Sequence, residues 1–470
     1  MSASYGDESP IAALATTPGK SALALIRCSG KGVIETAAKV FSSPEKLLRA
    51  LGNTVVHGWI ITHNEKIDET LVSVFRGPKS YTGEDSLDIS CHGGAACRAA
   101  LEALRSAGFR DALPGEFTFR ALMNGKLDLT RAESVMELVS ARTDSGRRSA
   151  VNRLSGVLEK EINEIKQTLL EVLSGAEIFL DYSEEEIDCG EDEVAGRLPG
   201  RRKARKALER LQKLAASWQR ERIYQEGILA VIAGRPNAGK SSLFNVLIKE
   251  DRSIVTDIPG TTRDWIEGCI SIEGIPFRLA DTAGLGESSD PVEKIGVERS
   301  RELLEEAELI LYVIDGEEGF SKEDRVFIGE LERDGGAGGK PFLLLWNKED
   351  IAPMPSEAAG ARALGISAKT GKGITGLVKA IAGMAADMAK NGAFASYPQD
   401  AALGSLRQKS LIDAAAAAVE MALHLADQEE PLDLIAPLLR EAANALGEIT
   451  GEVSTSDILE EMFSRFCVGK

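Results

Sequence analysis

The hydrophobic rhythm of this chain changes along its length, and each change predicts a different architecture. Up to about residue 125, short β-rich runs (22–27, 54–62, 70–75 and 86–91) alternate with helical stretches and Gly-rich turns, the pattern of a mixed α/β domain. From Leu127 to about Tyr224 the spacing becomes helical, with Leu154, Leu158, Ile162, Ile165, Leu169, Val172 and Leu173 along one face. Strands follow at Val231-Ile232-Ala233, 277–280, 309–314 and 342–346, and 309–314 is a continuous apolar run, as expected of a parallel strand buried on both sides. Residues 414–418 and the periodic Leu432, Ile435, Leu438, Leu439, Ala442 and Leu446 then return to helix. The order predicts a multidomain chain of α/β and all-α parts: an N-terminal α/β domain at 1–125, a discontinuous helical domain at 126–226 and 387–470, and an inserted α/β domain at 227–386. Insertion is tolerated because the termini of a domain tend to lie close together. The acidic stretch 183–196 reads as a solvated connection and 335–339 as a loop inside the inserted domain.

The inserted segment carries the chemistry. Gly234-x-x-x-x-Gly239-Lys240-Ser241 follows a strand and opens a helix whose Leu243, Phe244 and Leu247 share a face, the setting a phosphate-binding loop needs. Glycines let backbone N–H groups turn inward around phosphate oxygens, and the helix N-terminus adds its positive end. Asn237, Ala238, Gly239, Lys240, Ser241 and Ser242 form the cradle, with Lys240 reaching the outer phosphates and the Ser241 hydroxyl placed for Mg²⁺. Next comes a polar loop, Thr256-Asp257-Ile258-Pro259-Gly260-Thr261-Thr262, suited to a mobile switch whose Thr262 completes the Mg²⁺ shell. Asp281-Thr282-Ala283-Gly284 ends a strand, so that Asp281 meets Mg²⁺ through water and Gly284 faces the γ-phosphate. Asn347-Lys348-Glu349-Asp350 places Asp350 to accept two N–H groups from guanine, a pairing adenine cannot make. Ser367-Ala368-Lys369 supplies the last base contact. Together, in this order, these segments predict a Ras-like P-loop GTPase that binds GTP and GDP.

One departure bears on mechanism. Leu285 stands where Ras-like proteins place a water-orienting Gln. Asn237 is a candidate for activation: with oxygens of Thr256, Ile258 and Thr261 it could hold K⁺ where an arginine finger would otherwise act. Glu293 is either the residue that positions water or a solvated acidic side chain.

Composition sets limits. At 470 residues the length suggests about three domains. No run is apolar enough for a secretory leader or a membrane span, and the six cysteines include no Cys-x-x-Cys pair, so a reducing cytoplasm is expected. A net charge of −18 argues against a chain that grips nucleic acid unaided. The basic cluster Arg201, Arg202, Lys203, Arg205 and Lys206 reads as a solvated helix face, so any RNA substrate needs a partner's surface.

Segments at both ends of the chain narrow the reading further. Thr16-Thr17-Pro18-Gly19 with Ile26-Arg27-Cys28-Ser29-Gly30, Tyr81-Thr82-Gly83-Glu84-Asp85 with His92-Gly93-Gly94, Pro114-Gly115-Glu116-Phe117, residues 124–129 and the terminal Phe466-Cys467-Val468-Gly469-Lys470 resemble the MnmE (TrmE) family of tRNA modification GTPases along essentially the whole chain. The resemblance implies an N-terminal domain that dimerises and binds a tetrahydrofolate one-carbon derivative, with Arg27, Glu84, Lys126 and the nearby Lys470 matching the family's folate contacts. It implies a homodimer working with a flavoprotein of the MnmG type, which carries FAD and much of the tRNA surface. It also implies modification of wobble uridine at its ring carbon. Cys467 is either a nucleophile or a packed small residue. The rival reading is a ribosome-assembly or regulatory GTPase without one-carbon chemistry, against which stands the lack of a basic GXXG-type RNA module after the GTPase segment.

Overall fold

A computed structural model describes residues 5–63, 65–181, 198–250, 267–281, 302–334, 340–355, 363–390, 401–452, 456–464 and 466–469. The chain forms two compact units: Met1–Val139 with Asn152–Gln212 and Leu406–Lys470, and Ser140–Val151 with Lys213–Ser405.

The first unit opens with β1 (Ile11–Leu14), β2 (Ala24–Ser29), α1 (Val33–Ala38), α2 (Pro44–Leu48), β3 (Thr54–Thr62), β4 (Glu65–Phe75), β5 (Ser86–Cys91), α3 (Ala95–Ala107), β6 (Arg110–Asp111) and α4 (Glu116–Met123). The strands make one sheet in the order β3-β4-β5-β2-β1-β6. Ile26, Ile60, Val72, Val74, Leu87 and Ile89 meet Val33, Ile34, Ala100 and Leu104 of α1 and α3 in a single core, as the period-two alternation of the strands requires.

Helices α5 (Leu129–Ser140), α6 (Asp144–Leu154), α7 (Val157–Asp181) and α8 (Arg201–Glu226) follow. The periodic run from Leu154 to Leu173 is broken at its start: Gly156 takes φ +91, where a Cβ would overlap the Arg131 guanidinium, and α7 begins one residue later. From there Leu158, Ile162, Ile165, Leu169 and Val172 are all buried. After the second unit come α12 (Leu406–Asp427), α13 (Leu432–Thr450) and α14 (Ser456–Ser464). Helix α13 packs against both α7 and α12, with Arg440 paired to Glu177 and Lys166 to Glu452. The C-terminal Phe463 and Phe466 join Leu129, Ala132 and Phe119 in a small aromatic core.

The second unit is built on β7 (Ile228–Gly234), α9 (Lys240–Glu250), β8 (Glu267–Ile272), β9 (Ile275–Asp281), β10 (Leu309–Asp315), α10 (Lys322–Asp334), β11 (Phe342–Asn347), β12 (Ala363–Gly365) and α11 (Ile374–Lys390). Its sheet runs β12-β11-β10-β7-β9-β8, parallel except for β8 at the edge. Every residue of β10 is buried, which explains the unbroken apolar run 309–314 ahead of its terminal Asp315. A parallel sheet of this kind gathers its binding groups at the carboxyl ends of the strands.

Candidate nucleotide and ring-binding sites

The phosphate loop leaves β7 at Gly234, whose φ of +141 and contact with the Val313 carbonyl leave no room for a Cβ. Asn237 is exposed with φ 60, a left-handed conformation that asparagine tolerates. Gly239, at φ +94, lies so close to the Asn347 amide that a Cβ would overlap it. Helix α9 begins at Lys240, so its first N–H groups and positive end face the loop. Lys240 is 6% exposed, and its ammonium donates to the carbonyls of Gly234 and Arg235 at 2.8 Å each. Ala238 is buried, while Ser241 and Ser242 stand exposed on the first turn of α9. Asp281, 3% exposed, ends β9 beside Ile232 of β7. A hydroxyl and a carboxylate at neighbouring element ends are the hard oxygen donors Mg²⁺ prefers.

The residues expected to recognise the base are tied to this loop through the Asn347 side chain. Asn347, 3% exposed at the end of β11, donates from Nδ2 to the Ala238 carbonyl at 2.8 Å, and its Oδ1 accepts from the Ala368 N–H at 3.0 Å. It therefore bridges the phosphate loop to the Ser367-Ala368-Lys369 turn. Lys348, with φ 63, donates to Asp315 and Glu317 at 2.7 Å each. Glu349 donates its backbone N–H to Ile366 O at 3.0 Å. Asp350 is exposed, and the Ser367 hydroxyl above all holds its carboxyl below the usual range against the opposing effect of desolvation, with lesser help from its own backbone N–H, Lys369 and Lys372. Ser367 is fully buried and Lys369 exposed.

Thr256, Asp257, Ile258, Pro259, Gly260, Thr261, Thr262, Thr282, Ala283, Gly284, Glu293 and Lys470 lie outside the described residues, as do Leu285 and the acidic stretch 183–196.

In the first unit a cavity of about 180 Å³ is lined by Arg27, Phe75, Tyr81, Thr82, Ser86, Asp88 and Phe117. Arg27 pairs with Asp88 at 3.1 Å and lies 5.6 Å from the centroid of the Tyr81 ring. Its Nη1 also reaches the carbonyl of Gly469 at 3.5 Å, and the Gly115 N–H donates to Cys467 O at 3.3 Å, so the C-terminal segment borders Arg27. Cys467 itself is exposed. Glu84 accepts from Ser29 Oγ at 2.8 Å and from Arg120, which is 5% exposed and also holds the fully buried Glu116. Lys126 donates to Pro78 O at 2.9 Å. From the sequence, Tyr81 is named only as part of a motif, and Asp88 and Arg120 are left out. Arg120 recurs four residues after Glu116, a helical ion-pair spacing that was the available signal.

A parallel sheet with a phosphate loop after β7 and an Asn-Lys-x-Asp turn after β11 defines the class: a Ras-like P-loop GTPase fold, inserted in sequence within a helical and α/β protein. The family description "GTP-binding protein TrmE N-terminus" matches residues 10–126, and "MnmE helical domain" matches residues 129–467. The chain belongs to the MnmE family of tRNA modification GTPases. It is 42% identical to the tRNA modification GTPase MnmE of Treponema denticola, over 99% of this chain and 99% of that one. It is 38% identical to that of Acetivibrio thermocellus, over 98% and 99%. For Symbiobacterium thermophilum the identity is 40%, over 98% and 100%. Among the described residues no helix is long and apolar enough to cross a membrane.

Proposed function

We propose that this chain is the GTP-hydrolysing subunit of an enzyme that adds an aminomethyl or carboxymethylaminomethyl group to carbon 5 of the tRNA wobble uridine, in the cytoplasm. The observation that carries the reading is likeness to MnmE relatives from end to end, covering the N-terminal cavity as well as the GTPase unit. The domain limits expected from the sequence, 1–125, 126–226, 227–386 and 387–470, are kept as part of this proposal.

In the GTPase unit, Asn237 to Ser242 hold the phosphates, and Asp350, Ser367, Ala368 and Lys369 select guanine. Asn347 keeps the two loops in register. Ser241, with Thr262 and Asp281, would hold Mg²⁺, which when bound offsets phosphate charge. Asn237, with Thr256, Ile258 and Thr261, would hold K⁺, and its exposure leaves the side chain accessible to an ion. Two GTPase units would meet across that cation, and Glu293 would orient the attacking water.

In the first unit, the cavity is smaller than the roughly 300 Å³ at which pockets for whole ligands begin. It suits one ring system of a folate, with the remainder outside it. Aromatic walls from Phe75, Tyr81 and Phe117 favour a flat ring. Arg27 and Lys126 would meet carboxylate charge, Glu84 would accept pterin N–H groups, and Lys470 would close the end. The overall acidity supports a division of labour in which a flavoprotein partner supplies FAD and most of the tRNA grip. Folate titration of the full chain against an Arg27→Ala, Lys126→Ala double variant tests the assignment. Weakening by tenfold or more is expected, and equal affinity for both proteins would remove the site.

A further inference from the structure

The second residue of the phosphate loop, Arg235, commits its whole guanidinium to one segment. Nη1 meets Glu318 at 2.7 Å, Nη2 donates to Gly319 O at 2.9 Å, and Nε lies 3.0 Å from Asp324 Oδ2. The Nε contact is one of charge, because its N–H is not aligned on the oxygen. Asp324 is fully buried near the start of α10. Its two oxygens also accept from Tyr312 OH and from the Ser321 N–H, both at 2.8 Å. A carboxylate so enclosed has a fixed position, and a guanidinium bound to it inherits that position.

The same segment grips the other half of the nucleotide site. Asp315 and Glu317 receive the Lys348 ammonium at 2.7 Å each, and Gly316 donates to Asn347 O at 3.0 Å. Within the segment, Glu317 N–H caps Asp315 at 3.0 Å and Gly319 N–H closes on Asp315 O at 2.8 Å. Ten consecutive residues, 315–324, thus hold the phosphate loop through Arg235 and the base loop through Lys348.

We propose that the 315–324 segment is a brace that preorganises both loops for guanine nucleotide, and that Arg235 is the positioning residue through which it sets the phosphate loop. The inference rests on the GTP-binding reading of this site and adds a determinant of affinity outside the contacting residues. Gly234 and Asn237 both occupy left-handed backbone, so the loop has few ways to keep its shape once the anchor at Arg235 is gone. Lysine at this position keeps the charge and loses the fork that donates to Glu318 and Gly319 together while its charge faces Asp324.

The test follows dissociation of a fluorescent GDP from the full chain, with equilibrium titrations of GTP and GDP and a thermal melt of each protein. Arg235→Lys should speed GDP release by about tenfold to a hundredfold, the loss expected when a binding group is displaced by ~1 Å. GTP and GDP should weaken in equal proportion, and KM for GTP should rise with them, so that the loss falls on binding more than on kcat. Glu318→Gln, at a side chain 62% exposed and so harmless to folding, should speed release by a smaller factor of about two to five. Glu330→Gln, an equal charge change at an exposed position of α10 outside the segment, should match wild type. An Arg235→Lys protein with wild-type melting and release within twofold of wild type overturns the brace. If Arg235→Lys fails to fold, Glu318→Gln decides: release indistinguishable from Glu330→Gln overturns it. Wild-type protein that binds neither nucleotide overturns the reading of the site itself, and the brace with it.

Discussion

Replacing Asn347 with alanine should uncouple the two halves of the nucleotide site. The side chain is 3% exposed and satisfies two buried backbone groups at once, Ala238 O at 2.8 Å and the Ala368 N–H at 3.0 Å. Ala238 is fully buried and Ala368 is 7% exposed, so solvent does not readily replace either bond. An unsatisfied buried polar group costs about 1–3 kcal/mol, giving a total of about 2–6 kcal/mol for the pair. That total divides between the stability of the unit and its affinity for nucleotide, because bound nucleotide must restore the register of the two loops. If about half falls on binding, roughly 1–3 kcal/mol, GDP weakens by about fivefold to 150-fold. Titration with a fluorescent GDP reads the binding share, and a thermal melt reads the remainder. Affinity within threefold of wild type in a protein that melts normally would refute the bridging role.

Two further outcomes follow from the same geometry. The Asp350 carboxyl is depressed chiefly by the Ser367 hydroxyl, so its charge persists as pH falls and is lost only below the ordinary carboxylate range. The preference for GTP over ATP should therefore be flat from pH 7 to about 5 in competition binding, and a decline already complete by about pH 5 would contradict the assignment. GTP hydrolysis should be faster in potassium than in sodium at equal ionic strength, and Asn237→Ala should remove the difference; equal rates in the two salts for the wild-type protein would exclude the cation.

The parts of the fold that repeat a simple period are legible in the sequence. Strands β3 and β5 begin and end where alternation and punctuation place them, and the apolar run at 309–314 is β10 less its last residue. Strand β4 extends to Glu65, five residues earlier than its β-branched stretch suggests, because Glu65, Lys66 and Glu69 are exposed and carry no apolar signal. Asp68 hides in the same strand as a buried acceptor for His92. The phosphate and base loops are legible because backbone geometry restricts which residues fit: glycine at φ +141 and +94, and asparagine at φ 60. What the sequence conceals is long-range side-chain pairing. Arg235 with Asp324, Arg27 with Asp88, and Phe466 against Gly115 join residues far apart in the chain through contacts that leave no local pattern.

The central claim, that this chain serves tRNA modification through its GTPase unit, meets its most direct test in the wobble nucleoside itself. A host strain lacking its own MnmE-family gene would be complemented with this chain or with its Lys240→Ala variant, and the tRNA nucleosides read by mass spectrometry. The account predicts that the wild-type chain restores uridine modified at carbon 5 and that Lys240→Ala, which removes the ammonium proposed to hold the phosphates, leaves it unmodified. Wild-type chain that is expressed and hydrolyses GTP while the wobble uridine stays unmodified would contradict it.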